Sequence, residues 1–415
     1  MNQAFDVHHF MNTLSFKHYR VPNPLTLIGI RRTLAAIAIS AFSLCNAVAQ
    51  VMVVGIDRKF AYDSNAVRQA LEPGNDEVLF FDVKSPLRPR LLGSLKLENS
   101  ILGPPTNVAV TPDQSTVLIA NAVHSERTPT GWATVPSDEV FVVDLSTGEP
   151  KHVQTVKVGR QPSGIAISRD GRFALVANRD SKSISVLRLA QGAVSVADTF
   201  EAGDSIGAIA ISPDGHLAIG TKTNAHKVTL IHIGADLKLS DAHDLWAGLY
   251  PWNVAISPDG ATALVSNIGN GGQSDGGMKT VSVIDLAAAV PHVSQHASVG
   301  DGPEGMVFSP RGDLAALTIL QGSYDAPPSA WYRHEVGKAT LLSVHERSVR
   351  VVNSVDVGAF PEGIAFAADG VHVFVGNYRS NSISILKVDR SGRLVDTKMS
   401  VNLPGPPASL RIGSQ

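Results

Sequence analysis

Two glutamates stand in matching sequence surroundings and are the first candidates for chemistry. Glu304 lies within Gly-Asp-Gly-Pro-Glu-Gly, and Glu362 lies within Gly-Ala-Phe-Pro-Glu-Gly. If the fold brings the two carboxyls together, their repulsion raises the pKa of one of them, which could then act as a general acid or base. Arg411 is expected near Glu362, where its guanidinium would lower both pKa values. We interpret Glu304, Glu362 and Arg411 as the candidate catalytic residues.

Two other interpretations of this trio stay open. An ionised carboxylate pair can hold Ca²⁺, which takes oxygen ligands. The trio can also be a structural ion pair, or the glutamates can accept hydrogen bonds from loop amides. Beyond the possible Ca²⁺ ion, no cofactor is predicted.

Aromatic and arginine side chains are concentrated in the predicted loops. These residue types are enriched at binding hot spots. The predicted ligand-binding residues are Trp252, Asn253, Trp331, Tyr332, Arg333, Trp132, Arg179 and Arg379. The alternative interpretation is that the aromatic side chains pack the loops onto the body of the fold.

The histidines and the single cysteine form no metal-binding pattern. His292 and His296 have H-x-x-x-H spacing, but they lie in a predicted strand, where four residues separate side chains by about 13 Å. Cys45 is the only cysteine, and it precedes the predicted mature chain. Disulfides, thiolate zinc sites and covalent haem attachment are therefore excluded from the mature chain, and we predict no metal site.

A repeat must position these residues. A segment of the type apolar-Ala-apolar-Ser-Pro-Asp-Gly recurs, for example at residues 165–171 and 254–260. A β-branched segment follows each copy; it begins at Ile184 and again at Val228, which sets a basic period of 44 residues. Each unit has room for four short strands, named A to D in chain order. Four-stranded units of this length are typical blades of a β-propeller.

The two ends of the chain complement each other. The first unit has strands B, C and D but no strand A, whereas the C-terminal residues 406–412 resemble the other A strands. The sequence therefore predicts an all-β, seven-bladed β-propeller of four-stranded antiparallel blades. Pairing of the C-terminal strand with the N-terminal strands closes it and removes the free sheet edge. An open pair of β-sheets is the alternative.

The segment from Val158 to Val186 resembles the YVTN-type β-propeller repeat. The resemblance rests on Val-Gly-Arg-Gln-Pro-Ser-Gly-Ile-Ala-Ile-Ser-Arg-Asp-Gly and on the later Ala-Leu-Val-Ala-Asn. Similar seven-bladed propellers include periplasmic and surface binding proteins, 6-phosphogluconolactonase-like lactonases and the large subunits of amine dehydrogenases. The lactonases place Arg-His just before a strand A; here Arg333-His334 lies in a different loop, so the resemblance to lactonases ends at the site.

Strand direction decides which loops share a face. The D–A and B–C loops lie together on what we call the loop face, and the A–B and C–D turns lie on the opposite turn face. The long B–C connections are residues 57–77, 122–138, 268–279 and 320–338. Because binding residues concentrate in long loops on a rigid scaffold, we predict an asymmetric cleft on the loop face, over the central channel.

The N-terminal residues have the pattern of an export signal. Arg31 and Arg32 precede an apolar run, and Ala47-Val48-Ala49 supplies the small-x-small cleavage pattern. We predict a signal peptide at 1–49 and a single propeller domain at 50–415, with Sec export favoured over twin-arginine export and with Met11 as an alternative start to Met1. The predicted location is periplasmic or secreted.

Composition limits the partners. The predicted mature chain has 36 acidic and 31 basic residues, a net charge of −5. This balance argues against a nucleic-acid or anionic-membrane partner. The apolar run at 33–44 is too short to span a bilayer.

Three functions follow from these observations. The favoured one is an exported propeller that binds a small molecule or a periplasmic protein partner on its loop face. One alternative is a lactonase-like hydrolase or isomerase that uses Glu304, Glu362 and Arg411. The other is a propeller subunit of a periplasmic redox complex. No nucleophile motif such as G-x-S-x-G is present, so the sequence leaves open whether the protein is an enzyme.

Overall fold

The computed structural model describes residues 50–63, 67–100, 102–190 and 192–413. The predicted signal peptide lies outside these residues. Within them are thirty β-strands and one short 3₁₀ turn, Asn270–Gly272. No helix in the described residues has the length and apolar character needed to cross a membrane.

The first half of the described chain supplies the closing strands and two complete blades. Its strands are β1 (Val51–Ile56), β2 (Phe60–Tyr62), β3 (Arg68–Ala70), β4 (Glu77–Asp82), β5 (Arg90–Leu95), β6 (Val108–Val110), β7 (Thr116–Thr128), β8 (Gly131–Asp144), β9 (Lys151–Lys157), β10 (Pro162–Ile167), β11 (Phe173–Asn178), β12 (Ser183–Ala190) and β13 (Ala193–Glu201).

The second half continues with four more blades and the closing strand. Its strands are β14 (Ile206–Ile211), β15 (Leu217–Lys222), β16 (Lys227–Ile233), β17 (Leu239–Trp246), β18 (Pro251–Ile256), β19 (Thr262–Asn267), β20 (Lys279–Asp285), β21 (His292–Gly300), β22 (Pro303–Phe308), β23 (Leu314–Ile319), β24 (Lys338–His345), β25 (Ser348–Asp356), β26 (Pro361–Phe366), β27 (His372–Asn377), β28 (Ser382–Val388), β29 (Leu394–Asn402) and β30 (Pro407–Ile412).

Seven four-stranded antiparallel sheets form the blades, as the repeat predicted. Blades 1 to 6 are β6–β9, β10–β13, β14–β17, β18–β21, β22–β25 and β26–β29, and the closing blade has the order β30-β1-β4-β5. In the closing blade, Val53 of β1 is opposite Arg411 of β30 and opposite Phe80 of β4. The C-terminal strand therefore completes the sheet of the N-terminal strands, and the predicted closure is confirmed.

Each blade is buried on both faces, which explains the continuous apolar runs of the inner strands. In β11, Phe173 and Leu175 pack against blade 3, whereas Ala174 and Val176 pack against blade 1. Successive side chains of a strand point to opposite faces, so one strand serves two neighbouring interfaces. Burying one such aliphatic or aromatic side chain stabilises the fold by about 1.5–3 kcal/mol.

The A–B turns of the turn face are held by a repeated Ser–Asp contact. In blade 2, Ser168 Oγ donates to Asp170 Oδ1 over 2.7 Å, and the same oxygen accepts from the N–H of Arg172 over 3.0 Å. Gly171 completes the turn with a φ of 71°, which glycine adopts without strain. The Ser-Pro-Asp-Gly motif is therefore a turn motif here.

Two of the long B–C connections contain strands that the sequence analysis described only as loops. Strands β7 and β8 continue as one hairpin until Thr128 pairs with Gly131, and β2 pairs with β3 in a second hairpin. The alternation of residues 122–138 is weak, which is why the extension was not predicted. The loop face thus carries stiff hairpins on one side of the ring.

Candidate functional site

The two candidate glutamates come together at the loop-face end of neighbouring inner strands. Glu304 is the second residue of β22 and Glu362 is the second residue of β26. Their side chains are hydrogen-bonded to each other, and the residues are only 4% and 1% exposed. The strands approach closely because Gly305 has no side chain; a Cβ there would lie 2.2 Å from the carbonyl oxygen of Glu362.

Burial controls the protonation of this pair. It raises the pKa of Glu304 to about 8, although hydrogen bonds with Trp252 and Glu362 act in the opposite direction. Burial and the neighbouring negative charge of Glu304 raise the pKa of Glu362 well above its usual range. Two carboxyls in contact ionise together only at a large cost in free energy, so the pair resists ionisation at neutral pH, and Glu362 donates the hydrogen bond to Glu304.

Trp252 connects the glutamates to the far side of the channel mouth. Its indole Nε1 donates to Glu304 Oε1. The ring stacks on Tyr250, with centroids 6.0 Å apart and an interplanar angle of 18°. The Arg179 guanidinium also lies over the Trp252 ring, 5.5 Å from its centroid. Since Arg179 belongs to blade 2 and Trp252 to blade 4, this stack crosses the mouth of the channel.

Arg179 and Arg379 occupy equivalent positions in two short B–C loops. Arg179 is half-buried and donates to the carbonyl oxygen of Leu102 over 3.3 Å. Burial lowers its pKa, and no carboxylate in the described residues pairs with it. Arg379 donates to the carbonyl oxygen of Tyr324 over 2.9 Å and lies 5.7 Å from the ring centroid of Tyr62. Both guanidinium groups thus stay available for an acidic or oxygen-rich ligand.

An aromatic cluster that the sequence analysis did not identify covers the Glu362 side of the mouth. Phe360 is its centre, 4.5 Å from Tyr324, 5.0 Å from Tyr378 and 5.9 Å from Tyr62 between ring centroids. We call Tyr62, Tyr324, Phe360 and Tyr378 the aromatic cap. Phe360 stands two residues before Glu362 in the sequence, which is the one local signal that pointed to it.

A buried lysine, also missed by the sequence analysis, holds the hairpin that contributes Tyr62. Lys59 is 1% exposed, and its Nζ donates to Asp76 and to the carbonyl oxygen of Asn99. The Asp57 carboxylate lies 3.5 Å from the same nitrogen. A buried charge is tolerated only when it is paired, so this network ties the residues between β1 and β4 to the propeller.

Several buried polar atoms near the loop-face ends of the inner strands lack a hydrogen-bond partner. They are Glu362 Oε2, Thr106 Oγ1, Asn107 Oδ1, Ser409 Oγ and both side-chain amide atoms of Asn253. All belong to the first residues of inner strands or to the residues just before them, on four different blades. Natural proteins pair almost all buried polar groups, so the unpaired atoms at these strand ends are candidates to contact a polar molecule.

The structure does not bring Arg411 into this site. Glu362 is influenced by burial and by Glu304 alone, and Arg411 by burial alone. Arg411 aligns with Ala365, whereas Glu362 aligns with Ala408. Three strand residues separate these levels by about 10 Å. The expected contact between Arg411 and Glu362 is therefore absent, because the two residues occupy different positions along the inner strands and so lie at different depths of the channel.

The remaining predicted ligand-binding residues lie further out on the loop face. Trp331 is 81% exposed and meets Tyr332 edge-to-face at 5.6 Å. Arg333 donates to the carbonyl oxygen of Ala326 over 3.3 Å. Trp132 lies on β8 near the tip of the extended hairpin, opposite Arg127. No contact joins these side chains to the glutamate pair in the described part of the chain.

The glutamate pair suits a proton better than a calcium ion. Calcium binding needs ionised oxygens, whereas burial keeps a proton on this pair. The described residues contain no group of three or more His, Cys, Asp or Glu side chains placed to hold a metal. A cleft of about 420 Å³ lies elsewhere, on the turn face, and is lined by Asp113, Asp170 and Val194 among others.

Comparison with known proteins supports the fold. Residues 130–254 match the family model of YNCE-like beta-propellers. The chain resembles the YNCE-like propellers. The resemblance to repeat propellers that the sequence indicated is thus confirmed, while no curated protein matches the sequence.

Solved structures of similar shape are distant in sequence. A putative 6-phosphogluconolactonase from Bacteroides fragilis is 17% identical with a TM-score of 0.65, over 89% of this propeller and 99% of that chain. The periplasmic gluconolactonase of Pseudomonas aeruginosa is 19% identical with a TM-score of 0.62, over 88% and 98%. Hydrazine synthase of Kuenenia stuttgartiensis is 21% identical with a TM-score of 0.58, over 76% and 91%. Identities this low show the fold alone.

Proposed function

We propose that this propeller is exported and binds a small polar molecule at the loop-face mouth of its channel. The observation that carries the proposal is the buried, hydrogen-bonded pair of Glu304 and Glu362. Two carboxyls at a sealed inner-strand position destabilise the fold relative to apolar residues, and closure of the ring does not require them. Costly polar groups of this kind are typical of functional sites.

The surroundings define the chemistry of the ligand. Glu362 supplies a proton donor and Glu304 an acceptor, while Asn253 offers a free amide. Arg179 provides a cation without a carboxylate partner, and Trp252 provides a flat apolar surface. This combination fits a small molecule with a carboxylate or carbonyl oxygen and a ring. Entry of the ligand requires the stack of Arg179 on Trp252 to move, since this stack crosses the mouth.

A thermal-shift screen tests the binding proposal. The purified mature chain is screened against small carboxylic acids, aldonolactones and amines at a pH below and a pH above 8. We expect an acid or lactone to raise the melting temperature of the wild type, and the Glu304→Gln/Glu362→Gln double variant to lose the response. Glu335→Gln is the matched control, because that side chain is 87% exposed. A hit that stabilises the double variant equally contradicts the proposed site.

A second function is favoured by the pKa of Glu304. A carboxyl with a pKa of about 8 changes protonation near neutral pH, as a general acid or base must. Two proteins of similar fold are named as lactonases, one of them a putative 6-phosphogluconolactonase. Lactone hydrolysis or an isomerisation is therefore the alternative to binding. Turnover of a lactone hit, followed by its loss in Glu304→Gln, would favour the enzyme.

Export is proposed from the N-terminal pattern and needs its own test. Expression of the full chain in a Gram-negative host should yield a periplasmic protein that begins at Gln50. N-terminal sequencing and fractionation measure this directly. A cytoplasmic protein with residues 1–49 retained would contradict the export proposal and leave the binding proposal untouched.

A further inference from the structure

Arg411 occupies a position in the channel where six of the seven blades have small apolar residues. The corresponding residues of the other inner strands are Ala109, Ala166, Ala210, Ala255, Val307 and Ala365. Arg411 is held in place by β30, where it is opposite Val53 of β1. A long cationic side chain therefore enters a ring of alanines and one valine.

The Arg411 guanidinium has no partner within the described residues. It makes no described hydrogen bond or ion pair, and no acidic side chain acts on it electrostatically. Its neighbour Leu410 is fully buried against blade 6, together with Ala365 and Phe374. Because strand side chains alternate, Arg411 projects to the other side, beside the inner strand of blade 1. The two loop-face arginines differ, because Arg179 and Arg379 each donate to a backbone carbonyl.

Part of this level of the channel is exposed to solvent. Arg411, Ala166, Ala210 and Ala255 are half-exposed. The exposed surface continues one residue further toward the turn face, through Ile167, Ile211, Ile256 and Ile412. In contrast, Glu304 and Glu362 are almost completely buried. Access to Arg411 is therefore from the turn face, opposite to the proposed loop-face site.

A partly buried cation with no counter-charge is unfavourable. Burial alone lowers the pKa of Arg411 to about 10, which still leaves the group charged at neutral pH. Replacing such a charge by an apolar residue often stabilises a protein, so retaining it calls for a compensating anion. The planar guanidinium matches the oxygens of a carboxylate or phosphate with two parallel hydrogen bonds.

We propose that the central channel contains an oxyanion site, in which Arg411 binds a phosphate or carboxylate group that enters from the turn face between the small residues of the other blades. Apolar surroundings strengthen the attraction between an anion and the guanidinium. The site is separate from Glu304 and Glu362 and does not depend on the ligand proposed for them.

The test uses the mature chain with inorganic phosphate and acetate as probes, at constant ionic strength balanced with sodium chloride. Melting temperatures are measured for the wild type, Arg411→Met and Arg169→Gln. Arg169 is an exposed arginine in a turn of the turn face. Arg169→Gln therefore removes the same charge as Arg411→Met, but at the surface. We expect one or both oxyanions to raise the melting temperature of the wild type and of Arg169→Gln by a few degrees, and to leave Arg411→Met unchanged.

The comparison of probes and variants decides the proposal. Stabilisation by phosphate only identifies a phosphate-type ligand, and stabilisation by acetate only identifies a carboxylate. Without added oxyanion, Arg411→Met should be at least as stable as the wild type. An equal response of Arg411→Met and the wild type, or no phosphate or acetate binding to the wild type by isothermal titration calorimetry, would overturn the site. Because the calorimetry uses the wild type, its result holds even if Arg411→Met does not fold.

Discussion

The two faces of the propeller use carboxylates in opposite ways. On the turn face, a hydrogen bond from Ser212 lowers the pKa of Asp214, and one from Ser257 lowers the pKa of Asp259. On the loop face, burial raises the pKa of Glu304 and of Glu362. Both sets of acids lie at the ends of the same strands of the same repeat. The difference between them is burial, because the turn-face aspartates are exposed whereas the glutamates are almost completely buried.

This difference separates architecture from function. The turn-face aspartates each satisfy a local turn, and they recur from blade to blade with little change. The loop-face glutamates occur in two neighbouring blades only, and they lack enough donors to remain ionised. A repeat can tolerate such departures where the ring as a whole supplies the stability. The four predictions below test that separation.

The largest effect is expected from opening the ring. Deletion of residues 404–415 removes β30, which pairs with β1 and packs against blade 6. The loss should exceed the entire stability of about 5–15 kcal/mol that is typical of folded domains. Circular dichroism should show an unfolded or aggregated chain. Deletion of Ser414 and Gln415 alone is the control. A cooperative melting transition at the wild-type temperature in the 404–415 deletion would contradict closure by β30.

The second prediction concerns pH. A carboxyl whose pKa is higher in the folded than in the unfolded state binds its proton more tightly when folded, so stability falls as pH rises between the two values. From about pH 4.5 to about pH 8, the wild type should lose up to about 1.4 kcal/mol per pH unit for each of the two glutamates that stays protonated in the folded state. Urea unfolding across this range measures the slope.

The matched variants sharpen the pH prediction. Glu304→Gln/Glu362→Gln should flatten the slope, and Glu335→Gln should keep it. Asp214 and Asp259 act in the opposite sense, because their lowered pKa values make stability fall only when the pH drops below the ordinary range of an aspartate. An identical slope in the double variant and the wild type would show that the pair does not carry the buried proton.

The third prediction compares two tryptophans of the loop face. Trp252→Ala removes a half-buried ring that contacts Glu304 and Arg179, so it should cost about 2–3 kcal/mol of unfolding free energy. Trp331→Ala should change stability by less than about 0.5 kcal/mol, because its ring is 81% exposed. Chemical denaturation measures both. Equal losses would mean that Trp331 is part of the packed cap rather than an exposed surface residue.

The smallest effect is expected on the turn face. Asp259→Asn keeps the shape of the turn but weakens the hydrogen bonds from Ser257 and from the N–H of Ala261. We expect a loss of about 1 kcal/mol. The same change in ligand response as in Glu304→Gln would argue against assigning the site to the loop face.

The repeat in the sequence determined the fold to a large extent. The period, the turn motif and the missing first A strand together predicted seven blades and their closure, because each depends on local geometry that recurs at fixed spacing. Alignment of the A strands also predicted that Glu304 and Glu362 would be neighbours, since equivalent residues of adjacent inner strands lie side by side around the channel.

Only the tertiary structure decided what surrounds those residues. Strand alignment suggested Arg411 as a neighbour of Glu362, but three residues along a strand place it at another depth, alone among small side chains. The buried Lys59 and the contacts of Phe360 with Tyr62 and Tyr378 come from connections that do not repeat. A repeat specifies contacts between equivalent positions. Contacts across the mouth of the ring join positions that are not equivalent, so they depend on how the loops pack.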